Sequence, residues 1–225
     1  MPRTAGKRPD PGRRRATRGI AIALVCGLAF AMVGGAPARG VEAGLSAEDE
    51  ADLARVEVYL NGIRTLAGRF VQIAPNGAVS GGRIYLRRPG RLRFEYEPPT
   101  PILIVADGIW LVFYDSELGQ VTRLPLSATP LGILVEDQIR LRGRTAVRRV
   151  DRQPGSLRIT LFDPERPDQG TLTLVLGDRP LVLRSWVVTD AQGLETAVAL
   201  LNVKANVKLD PKLFVFIEPQ SSDDD

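Results

Sequence analysis

Apolar and charged residues alternate strictly over residues 91–97, as they do in a strand with one buried face. A second alternating run, residues 80–87, lies just before it, and Arg88-Pro89-Gly90 separates the two. Two such runs around a Pro-Gly turn predict a β-hairpin. Its second strand carries arginines and glutamates on one face. The side chains of the opposite face are Leu92, Phe94 and Tyr96.

Strand patterns continue through most of the chain after residue 65. We predict about ten or eleven strands, separated by turns such as Asp107-Gly108 and Gly177-Asp178. No repeat of solenoid length is present. Short turns between successive strands predict a mainly β fold, either a curved antiparallel sheet or a barrel.

Two segments carry helical signals instead. Ser46 is followed three residues later by Asp49, as in a capping box, and apolar residues then recur at helical spacing through residues 53–63. This pattern predicts an N-terminal amphipathic helix. Thr129-Pro130 favours the start of a second, short helix. The apolar side chains of that short helix are Leu131, Ile133 and Leu134.

Some predicted strands are apolar on both faces, notably residues 102–105 and 109–113. One explanation is a sheet whose second face is covered by the helices. The other is a half-barrel whose concave face stays apolar to hold a lipid-like ligand, with the helices as its lid. In either case Ile104 and Trp110 are candidates for the core or the cavity wall. Both explanations hold together if the helices move.

Residues 1–38 have the composition of a secretory signal peptide. Seven basic residues precede a 14-residue apolar run, residues 20–33, and an Ala-Pro-Ala sequence follows. The run is short for a membrane span. Cys26, the only cysteine, lies within it after Val25, a context that does not favour lipidation. We therefore expect a processed protein with one domain, residues 39–218, and a disordered acidic tail, residues 219–225.

Net charge changes sign once this segment is set aside. Of the 30 basic and 26 acidic residues, 23 and 25 remain after residues 1–38 are excluded. The positive excess therefore belongs to the export signal, and the sequence does not indicate nucleic-acid binding.

The residue types leave little room for catalysis. The chain has no histidine, and its one cysteine is in the signal segment, so Ser-His-Asp triads, Cys-His pairs and histidine-ligated zinc are excluded. Glu95 and Glu97 share a polar strand face with arginines, which favours ion pairs over glycosidase chemistry. We predict no enzyme activity, no cofactor and no metal site.

Several stretches, in order, carry a family resemblance: residues 68–72, 81–96, 102–108 and 129–131. Behind a signal peptide, this ordered set resembles the LolA family of periplasmic lipoprotein carriers over roughly residues 46–218. The resemblance implies an unclosed barrel with a helical lid and an apolar cavity for acyl chains. It implies a monomeric chaperone in the periplasm of a Gram-negative bacterium. Its partners would be outer-membrane-directed lipoproteins, an inner-membrane ABC-type release complex and an outer-membrane receptor lipoprotein.

The resemblance also assigns roles to residues. Arg88 would be a latch that bonds to the helical lid and keeps the empty cavity closed. The residues alone favour a turn arginine that caps backbone carbonyls or pairs with a nearby acid. Arg87, Arg91 and Arg93 are expected on a solvated face. The residues expected to contact acyl chains are Leu92, Phe94, Tyr96, Ile104, Trp110, Leu131, Ile133 and Leu134.

Two other functions fit the same pattern. One is a half-barrel that senses lipids or lipoproteins in the envelope stress response, although such sensors usually carry a second domain. The other is a receptor of the same fold, or a single protein that acts as both carrier and receptor. A receptor is expected to have a lipidated N-terminal cysteine, which this sequence does not indicate.

Overall fold

The structure, a computed structural model, describes residues 45–141 and 146–218. The predicted signal peptide and acidic tail lie outside these residues. One α-helix, α1 (Ala47–Asn61), precedes the sheet. The strands are β1 (Thr65–Ile73), β2 (Val79–Arg87), β3 (Arg91–Tyr96), β4 (Ile102–Asp107), β5 (Trp110–Asp115), β6 (Gln120–Pro125), β7 (Ala146–Gln153), β8 (Ser156–Phe162), β9 (Thr171–Gly177), β10 (Val182–Thr189) and β11 (Glu195–Ala205). The short 3₁₀ helices are Leu126–Ala128, Pro130–Val135, Pro167–Gln169 and Pro211–Phe214.

All eleven strands pair antiparallel in a single sheet. Their order is β6-β5-β4-β3-β2-β1-β11-β10-β9-β8-β7, so β6 and β7 are edges that do not pair with each other within the described residues. One core cluster joins side chains from β5 and from β8, near opposite edges, so the sheet curls around it. The predicted mainly β, unclosed barrel is therefore confirmed.

Helix α1 lies against the inner face of this sheet. Its capping box is formed as predicted, because the Ser46 hydroxyl accepts from Asp49 N and the Asp49 carboxylate accepts from Ser46 N. Leu53, Val56 and Leu60 recur at helical spacing and are fully buried in the core cluster. The helical stripe thus fills the groove that the curled sheet leaves open.

The outer face of β3, β4 and β5 is covered by the C-terminal segment, residues 206–218. Val105 and Val112 point to this face and are buried. Phe214 is 2% exposed, and the Phe216 ring lies 5.5 Å from that of Tyr114. The idea that the helices cover the second apolar face is therefore wrong for these strands. The two predicted helices, α1 and Pro130–Val135, cover the inner face, and the C-terminal segment with its own 3₁₀ helix covers the outer one.

Candidate functional site

The inner face of β2 and β3 forms an aromatic and aliphatic wall. Leu92 and Phe94 point inward, as the alternation predicted, and both are buried. Phe94 meets Phe70 of β1 edge to face with ring centroids 4.9 Å apart, and lies 6.3 Å from Trp186 of β10. This wall therefore joins strands from both halves of the sheet.

Tyr96 and Ile104 extend the wall toward the far end of the hairpin. The Tyr96 ring lies 5.0 Å from Phe70, and its hydroxyl donates to Gln72 Oε1 at 2.7 Å. Burial raises the pKa of Tyr96 to about 12, so the phenol stays neutral at physiological pH. Ile104 lies directly opposite Phe94 on β4 and is partly buried.

The 3₁₀ helix Pro130–Val135 lies across the same core. Leu134 is buried, and Leu131 and Ile133 are partly buried against the core cluster. The helix begins after Thr129, as predicted, but the Thr129 hydroxyl donates to Leu126 O instead of capping the helix. We call α1 and residues 130–141 the lid, because together they cover the inner face.

Arg88 connects the β2–β3 hairpin to both parts of the lid. It is 6% exposed, its Nη1 donates to Leu60 O at 2.6 Å, and its Nε donates to Leu134 O at 3.1 Å. Burial lowers the pKa of Arg88 to about 10, and the guanidinium stays charged at neutral pH. A buried cation is thus held by the carbonyls of two lid elements, with no carboxylate bonded to it among the described residues.

The hairpin turn makes a third bond to the lid. Gly90 N donates to Val135 O at 2.7 Å. Gly90 has φ +73°, and a Cβ placed on it would lie 2.6 Å from the Cα of Gly108 in the β4–β5 turn. Only glycine permits both this backbone conformation and this approach of the two turns.

A polar clasp ties the two parts of the lid to each other. Asn61 at the end of α1 accepts from Ile139 N at 2.8 Å and donates to Ile139 O at 2.9 Å. Glu57 accepts from Leu141 N at 2.6 Å. Ile139 and Leu141 are buried. The sequence indicated Asn61 only as a helix stop, because no local pattern places residue 139 beside it.

An ion-pair network holds the other end of α1. Arg152 of β7 contacts Asp49 at 2.8 Å and Asp52 at 2.6 Å. Arg55 bridges Asp52 to Asp178 in the β9–β10 turn, and this guanidinium lowers the pKa of the Asp178 carboxyl. These charged groups join the helix to strands on one side of the barrel. Arg88 joins the helix to the β2–β3 hairpin on the other side.

A cavity of about 420 Å³ opens where the two sides of the barrel face each other. Its walls are the β2–β3 and β4–β5 turns, the segment 126–137 and the β8–β9 connection, residues 161–170. Ile133 is the only predicted acyl-contact residue among those that line it. The other predicted acyl-contact residues do not line this cavity. The sequence did not single out Ile109 or Leu161, which also line this mouth cavity.

Trp110 does not join the other predicted contact residues. Leu111 is the β5 residue that faces inward, opposite Ala106, and Trp110 is on the outer face with 44% of its surface exposed. Arg93 was expected on a solvated face, but it lies under the C-terminal segment, where its Nη1 donates to Leu213 O at 3.0 Å. Arg87 and Arg91 are partly exposed.

Two further features of residues 45–141 and 146–218 bear on the site. No group of three or more His, Cys, Asp or Glu side chains there could hold a metal ion. None of the helices in this part combines the length and the apolar character that a membrane crossing requires.

Known proteins share this sequence pattern. The family described as outer membrane lipoprotein carrier protein LolA matches residues 61–217. An outer-membrane lipoprotein carrier protein from Chromobacterium violaceum is 29% identical over 194 residues, which cover 83% of this chain and 93% of the relative. Another, from Methylococcus capsulatus, is 30% identical over 178 residues and covers 75% of this chain and 85% of the relative.

A solved structure is also similar. The LolA superfamily protein from Nitrosomonas europaea is 13% identical to this chain, with a TM-score of 0.42. The match covers 73% of this chain and 97% of that one.

Proposed function

The chain belongs to the LolA family of outer membrane lipoprotein carrier proteins, and on that basis we propose that it is a lipoprotein carrier. The carrier binds the acyl chains of its cargo between the inner face of the sheet and the lid. It takes lipoproteins from an inner-membrane ABC-type release complex and passes them to an outer-membrane receptor lipoprotein. It works in the periplasm as a monomer and catalyses no reaction.

The observation that supports this most directly is the attachment of the lid. The inner face is a continuous apolar surface, yet the hairpin holds the lid through polar bonds from Arg88 and Gly90. Bonds to backbone carbonyls can be exchanged for water when the lid moves, whereas a closed core of the same composition would need no such link. In this proposal, the lid position seen in the structure is the closed one.

The energetics of acyl chains explain why a carrier needs a lid. Burial of one CH₂ contributes about 0.8 kcal/mol, so a chain of about 14 methylenes contributes about 11 kcal/mol. Three such chains exceed the practical limit of about 18–21 kcal/mol for non-covalent affinity. A carrier that buried them without an opposing cost would not release them. A closed empty state lowers the apparent affinity and supplies that cost.

In this proposal, each group of residues has a separate part. Arg88 is the latch. The wall residues and the lid residues open to expose one apolar surface, with the mouth cavity as its entrance. The acyl-contact residues are Leu92, Phe94, Tyr96 and Ile104 on the sheet and Leu131, Ile133 and Leu134 on the lid.

A release assay tests the function. Inner membranes that contain a labelled lipoprotein and the release complex are incubated with the purified protein, and lipoprotein in the supernatant is measured. We expect the wild-type protein to carry lipoprotein into the supernatant as a complex. Leu131→Asp places a carboxylate against the acyl chains, at a cost of roughly 2 kcal/mol or more. Release is then expected to fall at least about ten-fold.

The matched control is Val58→Asp on the exposed side of α1. Val58 is 76% exposed, so the same change in charge leaves the inner face untouched. If the two variants release equal amounts of lipoprotein, the lid is not part of the binding site. Absence of lipoprotein from the supernatant with the wild-type protein contradicts the carrier function itself.

A further inference from the structure

A row of side chains crosses the outer face of the sheet at the end where the lid closes. Register places Arg87 opposite Thr65 on one side and opposite Arg91 on the other. Arg91 in turn lies opposite Asp107 on β4, whose Oδ1 accepts from Trp110 N at 2.9 Å. We call this the outer row. Its members, from β1 to β6, are Thr65, Arg87, Arg91, Asp107, Trp110 and Pro125.

The arginines of this row lack the compensation that their neighbours have. Arg83 and Arg93, farther along β2 and β3, both pair with Glu95, at 3.5 and 2.7 Å. Arg87 and Arg91 make no ion pair or side-chain hydrogen bond within the described part of the chain. They lie directly opposite each other on the neighbouring strands β2 and β3, and like charges in that position destabilise a sheet. Two like charges left together in this way favour an external anion.

More cations flank the same row. The Thr65 hydroxyl donates to Val207 O at 2.6 Å, which places the exposed Lys208 beside the β1 end. Lys204 is exposed and lies opposite Ala67, on the same face as Arg87. The acid within the row is Asp107, whose Oδ1 also accepts from two backbone N–H groups of its own turn. Positive charge therefore dominates along the row, although the chain after residue 38 has slightly more acids than bases.

Large apolar side chains are exposed at the other end of the row. Ile109, at the tip of the β4–β5 turn, is 70% exposed, and Trp110 beside it is 44% exposed. Tryptophan is the residue most typical of the membrane–water interface, where its ring meets acyl chains and its N–H meets headgroups. Ile109 also lines the mouth cavity. The exposed tip therefore stands at the entrance to the interior.

We infer that the outer row is a membrane-docking surface that seats this end of the domain on an anionic lipid bilayer. Arg87 and Arg91 contact lipid phosphates, and Ile109 and Trp110 enter the headgroup region. Clustered basic residues beside exposed apolar and aromatic side chains are the composition that binds anionic bilayers. The contact brings the mouth cavity to the bilayer surface. It requires no cargo and is independent of the carrier function.

Vesicle flotation tests this inference. The protein is recovered from the periplasmic fraction and mixed with phosphatidylcholine vesicles that contain or lack phosphatidylglycerol. We expect binding only to the vesicles with phosphatidylglycerol. Each basic residue at an anionic surface contributes roughly five-fold to affinity, so the Arg87→Gln/Arg91→Gln double variant is expected to bind roughly 25-fold more weakly.

The matched control is Arg69→Gln/Arg83→Gln. It removes the same charge from the same face, but these arginines are paired with Glu97 and Glu95. Any contribution from the basic residues near the N-terminus is equal in every variant. The control is expected to bind as the wild type does. An equal loss in both double variants shows general charge attraction and overturns the inference.

Tryptophan fluorescence provides a second readout that does not depend on charge. Trp186 is buried, so a blue shift on mixing with vesicles reports Trp110. The shift is expected in the wild type and absent in Trp110→Phe. No vesicle binding, or binding without the shift, overturns the inference. A third outcome is that the wild type does not bind vesicles, while Arg87→Gln/Arg91→Gln loses binding to the purified release complex. The partner of the outer row is then an acidic protein surface, and the inference is overturned.

Discussion

Arg88 makes the central polar interaction of the site. Its charge is buried, and its hydrogen-bond partners are carbonyl oxygens. A carboxylate partner would make the pair costly to open, since one unpaired charge would remain buried on each side. With carbonyl partners from Leu60 and Leu134, opening the lid exposes the guanidinium to water and leaves only neutral groups behind. The desolvation that lowers the pKa of Arg88 therefore opposes these two bonds and keeps the latch weak enough to open.

Replacement of Arg88 by leucine is expected to prolong cargo retention. The variant loses both bonds to the lid but keeps the apolar packing, so the closed empty state no longer competes as strongly with the loaded one. A difference of about 1.4 kcal/mol corresponds to a ten-fold slower transfer. Transfer of labelled lipoprotein to receptor-containing vesicles measures this. Arg83→Leu on the exposed face of the same hairpin is the control, and transfer at the same rate by both variants contradicts the latch.

The sequence predicted some residues of the site well and others poorly, for physical reasons. Alternation with charged residues fixed the inward direction of Leu92 and Phe94, because only one face of β3 is apolar. It did not fix the direction of Trp110, because β5 is apolar on both faces and its phase depends on the pairing of Leu111 with Ala106. The inward direction of Arg88 likewise depends on the lid, which no local pattern specifies.

At the scale of the elements, the two parts of the lid are joined to each other, and only a few polar bonds link them to the hairpin. The clasp from Asn61 and Glu57 to residues 139 and 141 joins α1 to the segment after the 3₁₀ helix. Both ends of that clasp are close to buried apolar side chains, so its bonds are shielded from water. Arg88 and Gly90 are then the points at which the lid can detach from the hairpin.

Loss of the clasp is expected to cost stability. Asn61→Ala leaves the N–H and the carbonyl of Ile139 without their partners, and each buried unsatisfied group costs about 1–3 kcal/mol. The free energy of unfolding, measured with urea, should therefore fall by about 2–6 kcal/mol. Asn76→Ala, in an exposed turn where Asn76 accepts from Ala78 N, is the control. If Asn61→Ala lowers the free energy of unfolding no more than this control does, water replaces the bonds of the clasp.

Which elements form could be inferred from the sequence, but their contacts could not. The capping box, the apolar stripe of α1 and the turn signals are local, and the helix and most strands followed from them. Strand β7 (Ala146–Gln153) and the 3₁₀ helix Pro211–Phe214 carry weak local signals. Strand β7 is fixed by its pairing with β8 across a turn, and the 3₁₀ helix is fixed by the outer face of β3 and β4, which are distant in sequence.

At the scale of the whole molecule, the sheet separates two layers with different tasks. The inner layer is the lid on the apolar wall, attached by bonds that can break. The outer layer is the C-terminal segment, with Phe214 buried, Arg93 bonded to Leu213 O and Arg123 paired with Glu218 at 2.6 Å. A sheet covered only by a mobile lid would lose much of its buried area each time the lid opened. In the proposed carrier, the outer layer keeps β3, β4 and β5 packed while the inner layer moves.

This division predicts that stability and cargo binding respond to different substitutions. Phe214→Ala removes a buried aromatic side chain from the outer layer and is expected to lower the free energy of unfolding by about 3–5 kcal/mol. Lipoprotein release by the folded protein should be unchanged, because no inner-face contact is lost. Val215→Ala, at a position 56% exposed, is expected to change stability by about 0.5 kcal/mol or less. If Phe214→Ala impairs release at temperatures where circular dichroism shows it fully folded, the two layers are coupled through the sheet, and opening of the lid then involves the whole barrel.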